Sequence, residues 1–258
     1  MAACSLTIPI GKAYLREPRF ARKLSLFRRT LKNGKARPMH MQATSDSRVD
    51  ASPQWPKFLA TLFATGAIAG PLLDGIHSRV HLQTYRSLPI DIDALDFHTS
   101  LWVPPLLGLF YVVLGTLQPF LDVAFEGQDS EKLSNEISLG SIAIGFAVLA
   151  AGIELSAFMY ERGYPYIQIH AVLALFSLGV WRNLDGTRQG VILGLISAVG
   201  GLVSEFPIQN FTGWWDYSRP DVFGLVSWTC WCYFFYTPVV GNLGRKLWRD
   251  CGLGEERR

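Results

Sequence analysis

The sequence predicts an all-α polytopic membrane protein, a bundle of six transmembrane helices. Of its 258 residues, 49% are hydrophobic and only 17% are charged, which is more apolar than a typical soluble domain. After residue 56 the chain contains six apolar runs of about twenty residues, the length that crosses a hydrocarbon core of roughly 30 Å. Because a segment in lipid must satisfy its own backbone hydrogen bonds, each run is predicted to be a helix.

The predicted spans, in chain order, cover residues 58–76, 101–121, 137–158, 166–181, 191–206 and 222–243. The fourth and fifth are short, so their limits are the least well defined. In the first span, Pro71 is expected to kink or end the helix.

Six crossings place both chain ends on one side of the membrane, and the basic loop residues indicate which side that is. The side with the chain ends carries nine basic residues and the opposite side four (Lys57, Lys132, Arg182, Arg188, Arg245, Lys246, Arg249, Arg257 and Arg258, against Arg79, Arg86, Arg162 and Arg219). The bias predicts that both ends face cytosol or stroma.

Residues 1–50 differ from the rest of the chain, since they hold eleven of the 24 Lys and Arg but three acids, Glu17, Asp46 and Asp50. This composition is typical of a transit peptide and favours a chloroplast over a mitochondrion; the alternative is a basic tail on the cytosolic face of another membrane. Because the basic charge lies outside the folded part, we expect no nucleic-acid partner. The predicted organisation is a leader over 1–50, a membrane domain over 51–247 and a charged tail over 248–258.

Three acidic residues, Asp74, Glu154 and Glu205, lie near the ends of predicted spans. A charge in lipid is costly, so each either reaches the interface or belongs to an interior polar site. The second interpretation underlies one alternative function, a small carrier or channel.

Asp74, His77 and His81 would share one face if the first helix continued past its predicted end. Such a trio can hold a divalent metal, and a membrane enzyme using it is a further alternative. Pro71 and Gly75 argue against an uninterrupted helix, so we expect hydrogen-bonding roles instead. With no phosphate-binding loop or nucleophile motif in the sequence, neither a metal, a cofactor nor catalysis is predicted.

Aromatic residues are concentrated in the link between the last two spans, over residues 211–221. They either cover a lipid-like ligand or anchor the chain at the membrane interface. The candidates for lining a ligand are Trp102, Phe110, Trp214, Trp215 and Tyr217.

Several segments, in order along residues 57–247, together resemble the insulin-induced gene (INSIG) family of endoplasmic-reticulum sterol-regulatory proteins. They are residues 102–105 (WVPP) with 119–122 (PFLD), residues 173–181 (LALFSLGVW) with 185–190 (DGTRQG), the aromatic loop, and residues 241–245 (GNLGR). The resemblance implies a six-helix bundle with cytosolic ends that binds oxysterol, holds partner membrane proteins and catalyses no reaction.

By the same resemblance, Asp185 matches a loop aspartate that engages the partner, and Arg188 and Arg245 match neighbouring basic positions. The chain departs from the family at 183–184 and at Gly186, where the family has arginine. The predicted function is therefore a noncatalytic regulator that binds a sterol, isoprenoid or other lipid and docks another integral membrane protein. A chloroplast membrane is the favoured location, with the endoplasmic reticulum as the alternative.

Overall fold

Six α-helices make up the bundle in the computed structural model, which describes residues 54–125 and 136–253. They are α1 (Trp55–Arg79), α2 (Val103–Phe125), α3 (Leu139–Glu161), α4 (Tyr166–Leu184), α5 (Arg188–Pro207) and α6 (Thr229–Asp250). Each overlaps one predicted span. The predicted leader lies outside the described residues. Within them, α1 to α5 are long and apolar enough to cross a membrane.

The last helix, α6, is the centre of the bundle and packs against all five other helices. Thirteen of its 22 residues are buried. Because protein rather than lipid surrounds it, α6 keeps polar residues such as Thr237 and Arg245 in its interior-facing surface, and its composition is less apolar than that of α1 to α5.

The predicted start of the sixth span at residue 222 is wrong. Residues 222–225 form a tight turn closed by a bridge between Val222 and Leu225. Phe223 and Gly224 have φ of 49° and 84°, a left-handed conformation that no helix contains. The expected effect of Pro71 is also partly wrong, since α1 continues through it to Arg79.

The backbones of α2 and α6 come into direct contact. A Cβ atom built on Gly244 would overlap the carbonyl group of Gly115, so the two backbones are in contact there. Small residues of this kind are what allow membrane helices to pack closely.

Short strands connect the helices at the end of the bundle opposite the start of α1 and the end of α6, so the described part of the chain is not purely helical. Strand β1 (Gln83–Tyr85) follows α1, β2 (Pro89–Ile92) pairs antiparallel with β3 (Phe97–Ser100), and β4 (Trp215–Tyr217) precedes α6. β1 pairs antiparallel with β4, with Gln83 opposite Tyr217 and Tyr85 opposite Trp215. We call the paired strands β1 and β4 the ribbon, this end of the bundle the ribbon end, and the opposite end the terminal end.

Candidate functional site

A buried ionic cluster lies at the terminal end, centred on Arg245 of α6, which is 1% exposed. Its Nε and Nη2 donate to the two oxygens of Asp122 in α2, at 2.7 and 2.9 Å. Its Nη1 donates to Asp185 at 2.7 Å. The cluster therefore ties α2, α6 and the α4–α5 loop together through charge-assisted hydrogen bonds.

Asp185 is the residue that shapes the α4–α5 loop. Its side chain is 0% exposed, and it accepts hydrogen bonds from the backbone N–H of Thr187, at 2.8 Å, and from the Thr187 hydroxyl. Thr187 in turn caps α5 by accepting from the N–H of Gly190 at 3.0 Å. A Cβ atom on Gly190 would overlap the Asp185 carboxylate, so glycine is required there.

The three predicted docking residues therefore lie in two different environments. Asp185 and Arg245 are buried and contact each other, whereas Arg188 is exposed in the first turn of α5. Asp122 joins them in the cluster although it was not among the predicted site residues. The sequence did contain a signal for this pairing: Asp122 directly follows the predicted second span and Arg245 closely follows the predicted sixth span, and both span ends lie on the same side of the membrane.

A polar cavity of about 70 Å³ lies at the ribbon end. Asp74 accepts hydrogen bonds there from Gln83 Nε2, at 2.7 Å, and from the Tyr85 hydroxyl. The lining brings together α1, α2, α3, α5, α6 and the ribbon (Leu73, Asp74, His77, Gln83, Leu107, Phe110, Ile153, Glu205, Tyr217, Thr229, Cys232, Tyr233 and Tyr236).

Glu205 is the second carboxylate of the cavity. It accepts hydrogen bonds from the Tyr217 hydroxyl, at 3.0 Å, and from the Tyr233 hydroxyl. Glu154, the third acidic residue singled out, lies elsewhere: its side chain is 51% exposed and forms an ion pair with Arg79 at 2.7 Å. Two of the three acidic candidates are thus brought together and one is not.

The metal trio is not assembled. α1 ends at Arg79, and His81 lies beyond it with φ of 52°, so His81 does not share a helical face with Asp74 and His77. His77 is buried and its Nε2 lies 2.7 Å from the Ser156 hydroxyl. In the residues that the structure describes, no group of three His, Cys, Asp or Glu is placed to hold a metal ion.

The predicted ligand-lining aromatic residues also separate into two sets. Phe110 and Tyr217 line the polar cavity. The three tryptophans pack together beside the ribbon, with Trp102 5.2 Å from Trp215 and 5.1 Å from Trp214 between ring centroids. A larger apolar groove of about 240 Å³ was not predicted; it lies between α5 and the turn before α6 (Leu202, Val203, Phe206, Val222, Phe223, Leu225 and Ser227).

Comparison with known protein families shows to which family this fold belongs. The family model of the insulin-induced protein (INSIG) matches residues 58–248, which include the bundle, the buried cluster and the ribbon. The chain belongs to the INSIG family. This confirms the family resemblance drawn from the ordered motifs, and with it the identification of a multi-pass membrane protein.

Curated relatives of this INSIG-family chain include insulin-induced gene 1 proteins. The one from Gallus gallus is 29% identical over 187 residues, covering 72% of this chain and 70% of the relative. The ones from Xenopus tropicalis and Homo sapiens are each 28% identical over the same length, covering 70% and 64% of those proteins.

Solved structures with the same fold include the mycobacterial Insig homolog MvINS from Mycobacterium vanbaalenii. It superimposes with a TM-score of 0.61 at 20% identity, covering 74% of this chain and 94% of MvINS. A cross-linked MvINS trimer also has a TM-score of 0.61, at 19% identity, covering 78% of this chain and 97% of the other. These similarities confirm the predicted INSIG-like helical membrane bundle.

Proposed function

We propose that this chain is a noncatalytic membrane regulator that binds a sterol, isoprenoid or other lipid and docks another integral membrane protein. The chain belongs to the INSIG family, and its relatives include insulin-induced gene 1 proteins. This family membership supports a regulatory role. The observation that carries the docking part is the buried contact between Asp185 and Arg245, because it fixes an exposed loop at the terminal end.

In this proposal Asp185 acts indirectly. A carboxylate that is buried and already hydrogen-bonded has no surface to offer a partner, but it holds the α4–α5 loop, which is flanked by the exposed residues Arg182 at the end of α4 and Arg188 at the start of α5. Two cations held on either side of a fixed loop suit an acidic surface on the partner, and rim charges of this kind set specificity and association rate.

The docking proposal is tested by reversing the exposed charge. A photo-crosslinking residue next to position 188 should capture a specific integral membrane protein, and Arg188→Glu should abolish the capture without changing the unfolding midpoint. Arg162→Glu is the control, since Arg162 is also exposed but lies at the ribbon end. Unchanged capture by Arg188→Glu, or equal loss with Arg162→Glu, would contradict the proposal.

The lipid is proposed to occupy the apolar groove rather than the polar cavity. Sites for drug-sized ligands have volumes of about 300–1,000 Å³. The groove, at about 240 Å³, approaches that range and its lining is almost wholly apolar, whereas the cavity holds only about 70 Å³.

Two valines one helical turn apart provide a matched test of the groove. Val203 lines it and Val199 does not, and each is 65% exposed. Val203→Trp should reduce labelling by a photoactivatable sterol or isoprenoid analogue at least fivefold, and Val199→Trp should leave it unchanged. Equal labelling of both variants excludes the groove as the lipid site.

We further propose that the mature chain resides in a chloroplast membrane, on the basis of the basic, acid-poor composition of residues 1–50. A carboxy-terminal fluorescent fusion should then give a plastid signal that is lost when residues 1–50 are removed. A reticular signal would contradict the plastid proposal and favour the endoplasmic reticulum.

A further inference from the structure

The two carboxylates of the ribbon-end cavity are surrounded by hydrogen-bond donors. Each oxygen of Asp74 and of Glu205 accepts from a tyrosine hydroxyl or from the Gln83 amide. The Tyr85 hydroxyl also accepts from Gln83 Nε2, at 2.7 Å, which leaves its proton to donate to Asp74. Donors on all four oxygens favour the ionised form of each carboxylate, whereas burial opposes it.

No lysine or arginine lines the cavity, and its one imidazole, that of His77, faces the Ser156 hydroxyl of α3. Among residues 54–125 and 136–253, neither Asp74 nor Glu205 forms an ion pair, in contrast to Asp122 and Asp185. Two partly buried carboxylates facing one cavity repel each other and are costly to desolvate unless a positive charge pairs with them. At the terminal end Arg245 provides a positive charge for Asp122 and Asp185, whereas at the ribbon end no ion pair is formed with Asp74 or Glu205 in the described residues.

The space between the carboxylates is large enough for an occupant. The cavity of about 70 Å³ is several times the roughly 10–15 Å³ that a single water requires. Tyr236 lines it and is 8% exposed as a residue, and its hydroxyl has no hydrogen-bond partner in the described part of the chain. An accessible hydroxyl that has no protein partner, on a largely buried side chain that lines a cavity, points to a group that binds there.

We propose that this cavity binds a small monovalent cation between Asp74 and Glu205. The occupant is an inorganic ion such as sodium, or the primary ammonium group of an amine. Carboxylate and hydroxyl oxygens suit both, because they are hard ligands for the ion and acceptors for the three N–H donors of an ammonium group. Tyr236 and Thr229 add hydroxyl oxygens to the lining.

The position of the cavity allows entry from the aqueous side. Asp74 precedes the last residue of α1 by five positions, roughly 8 Å along the helix, and Glu205 precedes Thr212, where the π-helical continuation of α5 ends, by seven positions, roughly 10 Å. The β1–β4 ribbon covers this end through Gln83 and Tyr217. A cation therefore needs to pass only the ribbon.

The test is cation binding by the full-length chain in detergent. The thermal midpoint is followed while sodium chloride, potassium chloride or methylammonium chloride replaces N-methylglucamine chloride at constant ionic strength, since a ligand that binds the folded state raises the midpoint. We expect a saturable rise with at least one salt. Asp74→Asn and Glu205→Gln should each weaken the apparent affinity at least tenfold, and Glu154→Gln, which alters an exposed carboxylate outside the cavity, should not.

A rise with sodium or potassium identifies an inorganic ion, and a rise with methylammonium alone identifies an amine. No saturable rise with any salt, or an equal rise in Glu205→Gln, overturns the proposal. So does an infrared band of a protonated carboxylic acid in the wild type at neutral pH that disappears in Glu205→Gln, because a proton would then hold the site. If the charge variants do not fold, Tyr236→Phe keeps both carboxylates and should still weaken binding; an unchanged affinity contradicts the proposal.

The inference does not rest on the proposed regulatory function. Lipid labelling is measured at the groove and partner capture at residue 188, so either can fail while cation binding persists.

Discussion

Replacing Arg245 by methionine tests how much the terminal-end cluster contributes to folding. Methionine keeps an unbranched apolar stem of similar length but removes the guanidinium, which leaves Asp185, 0% exposed, and Asp122, 14% exposed, without their cation. Removing one partner of a buried ion pair costs about 3–5 kcal/mol.

The remaining donors determine where in that range the loss falls. Asp122 keeps the amide groups of Gln118, at 3.1 Å, and Gln189, at 3.0 Å, and Asp185 keeps the N–H and hydroxyl of Thr187. Because these donors partly compensate both carboxylates, we expect a loss of about 3 kcal/mol, at the lower end of the range.

Reversible unfolding in mixed detergent and SDS micelles measures this loss as a change in the free energy of unfolding. Lys246→Ala is the control, since Lys246 forms an i,i+4 ion pair with the exposed Asp250, worth less than about 1 kcal/mol. Adding Asp185→Asn to Arg245→Met should recover part of the loss, because one uncompensated carboxylate is then removed. A loss below about 1 kcal/mol for Arg245→Met would refute the reasoning.

Two further predictions concern packing and charge elsewhere in the fold. Gly244→Ala should destabilise the bundle by about 1–3 kcal/mol, because its Cβ would overlap the backbone of Gly115. Gly200→Ala, which meets no atom within 4 Å, should be neutral or slightly stabilising in the same unfolding assay. The pKa of His98 is raised above its ordinary value of 6.5 by its hydrogen bond to Asp91, so its contribution to stability is complete below that value and is lost as the pH rises through the folded-state pKa. NMR titration should give a lower His98 pKa in Asp91→Asn, and an unchanged value would contradict this assignment.

Hydropathy was sufficient to locate six helices but not the start of α6. Residues 222–226 include Val222, Phe223, Leu225 and Val226, an apolar run that extends the sixth span in any hydropathy profile. The left-handed φ of Phe223 is a local backbone feature that side-chain polarity does not report. The ribbon could not be predicted from the sequence because the pairing of Gln83 with Tyr217 joins segments far apart in the chain. In addition, strands of three residues carry almost no periodic hydrophobic signal.

The sequence drew attention to individual residues but did not indicate which of them the fold brings together. Asp74, Glu154 and Glu205 all lie near span ends, and that position alone does not separate an exposed ion pair from a cavity. Asp185 and Arg245 were named because of the family resemblance, but a resemblance does not indicate that a residue is buried. Asp122 was not named as a site residue because its partners other than Gln118 lie on α5 and α6, and packing of the bundle is what brings them to it.

Each end of the bundle holds a pair of carboxylates, but only the pair at the terminal end contacts a cationic side chain. At the terminal end two carboxylates enclose the Arg245 guanidinium, which balances one of their two negative charges, and the cluster has a structural role. At the ribbon end two carboxylates accept hydrogen bonds from neutral amide and hydroxyl groups, and no lysine or arginine lines their cavity. A fold that needed acidic residues only for packing or for capping would have no reason to leave the second pair without a cation. The contrast within one chain is therefore the strongest argument that the ribbon-end cavity is a ligand site rather than a packing defect.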